Sequence, residues 1–164
     1  MNSLNHAKIL APLLLARGWK IALAESCTGG LVCATLTELS GSSEWFERGY
    51  ITYSNQAKTE CLGVPDALIQ AHGAVSEPVA KAMSQGAQRN ARVHVGVSIT
   101  GIAGPTGGSA EKPVGTVCFG WTLPNALGAY VTTSETKLFN GDRQSIRQQA
   151  TELALVGLLQ LLNN

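Results

Sequence analysis

Charge is scarce in this 164-residue chain: Asp, Glu, Lys and Arg make up 14% of it, with 12 basic residues against 11 acidic. With no surplus of either sign, no global field recruits nucleic acid or an anionic membrane, and any anion site must be local. Cysteine is limited to Cys27, Cys33, Cys61 and Cys118. They show neither CxxC spacing nor the density of a disulfide-stapled secreted domain, which fits a reducing cytoplasm. The three histidines, His6, His72 and His94, stand at no ligand spacing to cysteines or carboxylates. No metal is therefore expected, and no organic cofactor. No apolar run reaches the roughly 18 residues of a transmembrane span. The nearest approach, Ile9 to Ala16, is short and lacks a convincing small-x-small cleavage site, and it reads as helix. A G-x-S-x-G elbow, a Walker lysine-serine pair, internal repeats and domain linkers are also missing.

Apolar residues and glycine are plentiful, at 45% and 18 residues. They indicate packed interior and tight turns, not disorder, in one domain over residues 1–164. Leu10, Leu13 and Leu14 share a helical face that ends at Gly18, with Pro12 as a start or kink. Lys20–Ala24 reads as a buried strand, followed by a sharp turn and a helix from about Thr28 to Leu39. Trp45–Ser54 is rich in aromatic and β-branched residues and reads as a strand, then a short helix holds Ala57, Lys58 and Cys61. Helical turns surround Pro65–Gln70, and Ser76-Glu-Pro78 starts a helix ending near Asn90. Val93, Val95, Val97 and Ile99 alternate with small residues as a strand against which a helix could pack closely. Val114–Leu123 and Ala129–Lys137 form a hairpin around Pro124-Asn125, and an apolar stripe from Ile146 to Leu161 traces a long final helix. The succession predicts an α/β fold: a mixed sheet with helices on both faces.

Glu25-Ser-Cys-Thr-Gly-Gly30 is the most informative segment. A residue on a tight strand-to-helix turn is exposed for attack beside helix-start amides. Ser26 fits a nucleophile there, although Ser26 or Thr28 could equally serve as a helix cap, and Cys27 is a second nucleophile candidate. A serine needs a base, and with the histidines scattered, a lysine neutralised by burial becomes a candidate. Lys58 follows Tyr53-Ser54-Asn55 after a strand, where Tyr53 could relay a proton or hold Lys58 by its hydroxyl; the alternative is a solvated helix lysine. Gly101–Gly108 follows a strand but leads into another strand, so it is no dinucleotide fingerprint. Its amides could cradle a phosphate or a carboxamide oxygen, aided by Lys112, or it could be a plain connection. Arg143 and Arg147 lie one helical turn apart, where either could clamp phosphate or simply sit in solvent.

Taken together, Ala24-Glu-Ser-Cys-Thr-Gly-Gly30, Gly49-Tyr-Ile-Thr-Tyr-Ser-Asn55 with Lys58, Gly73-Ala-Val-Ser76, Thr100-Gly-Ile-Ala-Gly-Pro105 and Lys112-Pro-Val-Gly115 resemble the CinA C-terminal-domain family. They are most similar to its stand-alone nicotinamide-nucleotide amidohydrolases. The resemblance spans almost the whole chain. It implies a three-layer α/β/α domain that hydrolyses the carboxamide of nicotinamide mononucleotide in pyridine-nucleotide salvage, without metal or cofactor. It assigns Ser26 as nucleophile, Lys58 as base and Tyr53 as assistant. Thr28, Gly29 and Gly30 are then expected to supply oxyanion-facing amides, and Thr100, Gly101, Lys112 and Arg143 to contact the nucleotide. A cytoplasmic homodimer or higher homo-oligomer is expected, with a non-catalytic nucleotide-binding regulator as the alternative.

Overall fold

The computed structural model describes residues 2–164. Six helices surround a five-stranded sheet. In chain order these are α1 Ser3–Arg17, β1 Ile21–Glu25, α2 Leu31–Thr37, β2 Phe46–Ile51, α3 Asn55–Leu62, α4 Asp66–His72, α5 Glu77–Ala91, β3 Val95–Gly101, β4 Thr116–Pro124, β5 Tyr130–Leu138 and α6 Arg143–Leu162. The sheet order is β2-β1-β3-β4-β5. The first three strands run parallel, and β4 and β5 pair antiparallel beyond β3.

Alternation along the strands divides the interior into two cores. Ile21 and Leu23 of β1, with Val95, Val97 and Ile99 of β3, face α1, α2 and α6. Ala22 and Ala24 face the layer of α3, α4 and α5. All five residues of β1 are buried, as a central parallel strand covered on both faces requires. The small residues of β3 do admit a close helix: the Ser98 hydroxyl donates to the Ala80 carbonyl of α5 at 2.5 Å. Among the described residues no helix is long and apolar enough to cross a membrane.

Caps follow the residue types. Ser54, Ser76 and Asp142 accept backbone amides at the starts of α3, α5 and α6, and Gly18 closes α1 at φ 62°. Pro12 lies inside α1, which continues through it. Its ring and Lys8, whose carbonyl it leaves without a helical donor, are both on the exposed side, where that carbonyl is open to solvent. The largest departure from the sequence expectation is α2, which starts at Leu31 and not at Thr28. Gly29 and Gly30 adopt φ of 57° and 105°, so the turn runs on to Gly30 before a right-handed helix can begin.

Candidate active site

The turn after β1 is tied on every side. The Ser26 amide donates to the Ile99 carbonyl at 3.0 Å, extending the β1–β3 ladder by one step, and the Gly29 amide returns to the Ser26 carbonyl at 3.0 Å. Glu25, fully buried, turns its carboxylate toward α2 and accepts the amides of Gly30 at 2.8 Å, Val32 at 3.3 Å and Cys33 at 2.9 Å. A negative charge thus satisfies the orphan amides of a helix start, where the helix dipole favours it. From α6, Arg147 donates through Nε to the Cys27 carbonyl at 3.0 Å and through Nη2 to the Thr28 carbonyl at 3.2 Å.

The second contribution comes from the end of β2. Ser54 caps α3, and the first turn of that helix directs Lys58 inward beneath the 52–54 segment. Lys58 is 1% exposed, with Nζ 3.1 Å from Ser26 Oγ, 2.9 Å from the Thr52 carbonyl and 3.3 Å from the Tyr53 carbonyl. No carboxylate pairs with it among the described residues. Burial lowers its pKa from the ordinary lysine value, since desolvation penalises the ammonium. As a neutral amine, Lys58 can give its two N–H groups to the carbonyls and present its lone pair to the Ser26 hydroxyl. Burial also pushes the Cys27 thiol up to about 12, leaving it protonated and poorly nucleophilic near neutrality.

Ser26 and Lys58 open onto a cavity of about 260 Å³, whose far wall is Thr100–Gly104. Lys58 and Arg143 are its charged side chains, and no carboxylate lines it. The Ala103 and Gly104 amides in that wall have no protein acceptor. Thr100 is held by its hydroxyl to the Ala74 carbonyl at 2.9 Å, and Gly101 lines the cavity beside it.

Other expected residues lie differently. Tyr53 is at the rim, 61% exposed, and its hydroxyl accepts from Arg143 Nη2 at 3.1 Å. It is the Tyr53 carbonyl, not the hydroxyl, that meets Lys58. Arg143 also donates to the Gly104 carbonyl at 2.8 Å, bridging the rim. Thr28, Gly29 and Gly30 are outside the cavity lining, and the Gly29 and Gly30 amides already serve Ser26 and Glu25, so neither is free to meet an oxyanion. Lys112 also lies outside, its ammonium donating to the His72 carbonyl at 2.7 Å, where it straps the 106–113 loop to α4. Arg147 grips the turn instead of facing the cavity. Sequence reasoning overlooked Glu25, although an acid between a buried strand and a helix start is itself a signal for an amide-binding carboxylate. It gave no role to Asn55 or to Ala74 and Val75, which stand inside the quoted motifs and line the cavity.

The sequence profile of the CinA C-terminal domain matches residues 4–162. The chain belongs to this family. Among CinA-type relatives, the CinA-like protein of Syntrophobacter fumaroxidans is 53% identical over 96% of this chain, which spans 36% of that protein's length. The nicotinamide-nucleotide amidohydrolase PncC of Escherichia coli K12 is 52% identical over 90% of this chain and 87% of its own. The crystal structure of the competence damage-inducible protein A (ComA) of Klebsiella pneumoniae matches with a TM-score of 0.93 at 33% identity, covering 100% of this chain and 99% of that one. The CinA C-terminal domain fold is therefore shared end to end with this solved relative.

Proposed function

We propose that the protein hydrolyses the carboxamide of nicotinamide mononucleotide to the carboxylate and ammonia, with Ser26 as nucleophile and Lys58 as general base. The observation that carries the reading is the 3.1 Å approach of a buried lysine, free of any carboxylate, to a serine on a strand-to-helix turn. The 52% identity to a named nicotinamide-nucleotide amidohydrolase supports the choice of substrate.

In this reading neutral Lys58 takes the Ser26 proton as Oγ attacks the amide carbon. The resulting ammonium returns that proton to the departing nitrogen, which leaves as ammonia. Water, losing a proton to Lys58, then cleaves the acyl-serine to free Ser26 and the carboxylate. The cavity is slightly smaller than the roughly 300–1,000 Å³ of typical small-molecule sites, so it suits the pyridine ring and its amide. Ribose and phosphate extend to the open rim, where Arg143 supplies positive charge and Tyr53 an aromatic edge. The four free cysteines fit a cytoplasmic enzyme of pyridine-nucleotide salvage. A homo-oligomer belongs to the same reading, with the open edge of β5 and its exposed Tyr130, Val131 and Leu138 available for it.

The test is ammonia release from nicotinamide mononucleotide, free nicotinamide and the dinucleotide in metal-free buffer, for wild type, Ser26→Ala and Lys58→Ala. Turnover of the mononucleotide by wild type alone is expected. Wild-type rates in Ser26→Ala would refute the serine chemistry, and tight binding without release by wild type would mark a nucleotide-binding regulator.

A further inference from the structure

Arg147 is the least explained charge near the site. It has no carboxylate partner among the described residues, does not line the cavity, and spends two arms of its guanidinium on consecutive carbonyls, those of Cys27 and Thr28. A planar fork serving two acceptors fixes orientation as well as distance.

Cys27 follows Ser26 directly and is 5% exposed. Its thiol packs into the core beside Gly101. Its carbonyl is held by Arg147, and the carbonyl preceding it, that of Ser26, is held by the Gly29 amide. The peptide planes on both sides of Cys27 are therefore fixed. Of the two turn residues that line the cavity, Ser26 gives its amide to Ile99, whereas the Cys27 amide meets no carbonyl or carboxylate among the described residues. An N–H that meets no protein oxygen beside a cavity is available to an oxygen of whatever enters it. The amide following a nucleophile is within reach of the oxygen of the carbonyl that the nucleophile attacks.

We propose that the Cys27 amide is the donor to the oxyanion formed on Ser26 attack, and that Arg147 is the positioning residue that aims it by gripping the Cys27 and Thr28 carbonyls. The inference rests on the serine-hydrolase reading of the site but not on the identity of the nucleotide. It differs from a phosphate clamp in a measurable way. A clamp holds substrate and transition state alike and acts on KM, whereas an oxyanion donor acts on kcat.

The experiment compares wild type, Arg147→Lys and Arg147→Met on nicotinamide mononucleotide and on p-nitrophenyl acetate, an ester that uses the same nucleophile, base and oxyanion donor but whose leaving group needs no proton and carries no nucleotide. Lysine keeps the charge but cannot serve both carbonyls as a fork, so it carries the test if the methionine variant does not fold. The expected result is a fall in kcat of about 10- to 100-fold on both substrates. KM should stay within about twofold, and the pH profile of kcat should not move, since Lys58 is untouched. In a Ser26→Ala background, calorimetry should give the same nucleotide affinity with and without the added Arg147→Lys substitution. A wild-type kcat in Arg147→Lys, or a tenfold loss of affinity with kcat intact, overturns the proposal. If wild type releases no ammonia yet hydrolyses the ester through Ser26, the nucleotide reading fails, while a loss of ester kcat in Arg147→Lys still supports the positioning role.

Discussion

The two halves of the sheet are built on different terms. In the parallel half, β2, β1 and β3 all end at the cavity: Ser26 follows β1, Tyr53 and Lys58 follow β2, and Thr100–Gly104 close β3. That end holds a buried lysine, a buried carboxylate and an arginine spent on backbone carbonyls. The antiparallel half contributes no cavity residue from β4 or β5. Its interior is ordinary packing: Phe119 stacks on Trp121, whose indole donates to the Ala154 carbonyl of α6 at 3.0 Å. Its polar groups are paired, with Ser134 and Thr136 donating to Glu77. One half holds desolvated charge, which the proposed chemistry would use; the other braces α5 and α6 against the sheet. Crevices at the carboxyl ends of parallel strands are where α/β folds gather such groups.

If that division holds, changes in the parallel half should cost activity out of proportion to stability, and changes in the antiparallel half the reverse. The largest effect is expected from Ser26→Ala, a loss of at least about 10⁴-fold in turnover with an unchanged melting temperature, read by ammonia release and thermal denaturation. Next is pH. In the proposed chemistry Lys58 acts as the neutral amine, and burial holds its pKa below the ordinary lysine value. Turnover should therefore fall about tenfold per unit as pH drops below that lowered pKa and level off above it, a limb to be traced in the pH profile of kcat/KM. Glu25→Gln should come third. An amide in place of the carboxylate sets a donor against one of three N–H groups, costing about 1–3 kcal/mol by chemical denaturation and lowering kcat about tenfold as the turn loosens. The smallest effect on activity belongs to Gly157→Ala, where the added methyl meets the Trp121 ring directly. Overpacking there should cost about 1–3 kcal/mol of stability while activity per folded molecule stays at wild type. A Gly157→Ala enzyme with intact stability but reduced turnover would break the comparison.

The element order was legible because periodicity and turn residues report the chain's layout: alternation marked β3, the Pro124-Asn125 turn set off β4 and β5, and the 3.6-residue stripe marked α6. Caps at Gly18 and Ser76 placed helix ends to within a residue or two. The start of α2 was not legible, since Gly29 and Gly30 are compatible with a helix in pattern and exclude it only through their positive φ. Lys58 was ambiguous for a related reason. On an eight-residue helix one lysine reads as solvated, and only the crossing of α3 beneath the 52–54 segment puts its ammonium beside Ser26. The Arg143 and Arg147 pair was left open because helical spacing gives a face but not its neighbour: Arg143 meets the cavity rim, and one turn later Arg147 meets a loop. The occupancy of the turn's amides was invisible for the same reason, because Ser26 gives its N–H to a carbonyl of β3, Gly29 to the Ser26 carbonyl and Gly30 to a carboxylate folded back over the turn.

The grip of α6 on the Ser26 turn also orders events during synthesis. Arg147 lies 120 residues after Cys27, so at about 5–20 residues per second it leaves the ribosome's catalytic centre roughly 6–24 s later. Until α6 docks, a nascent chain presents the Ser26 turn without the guanidinium that grips its Cys27 and Thr28 carbonyls.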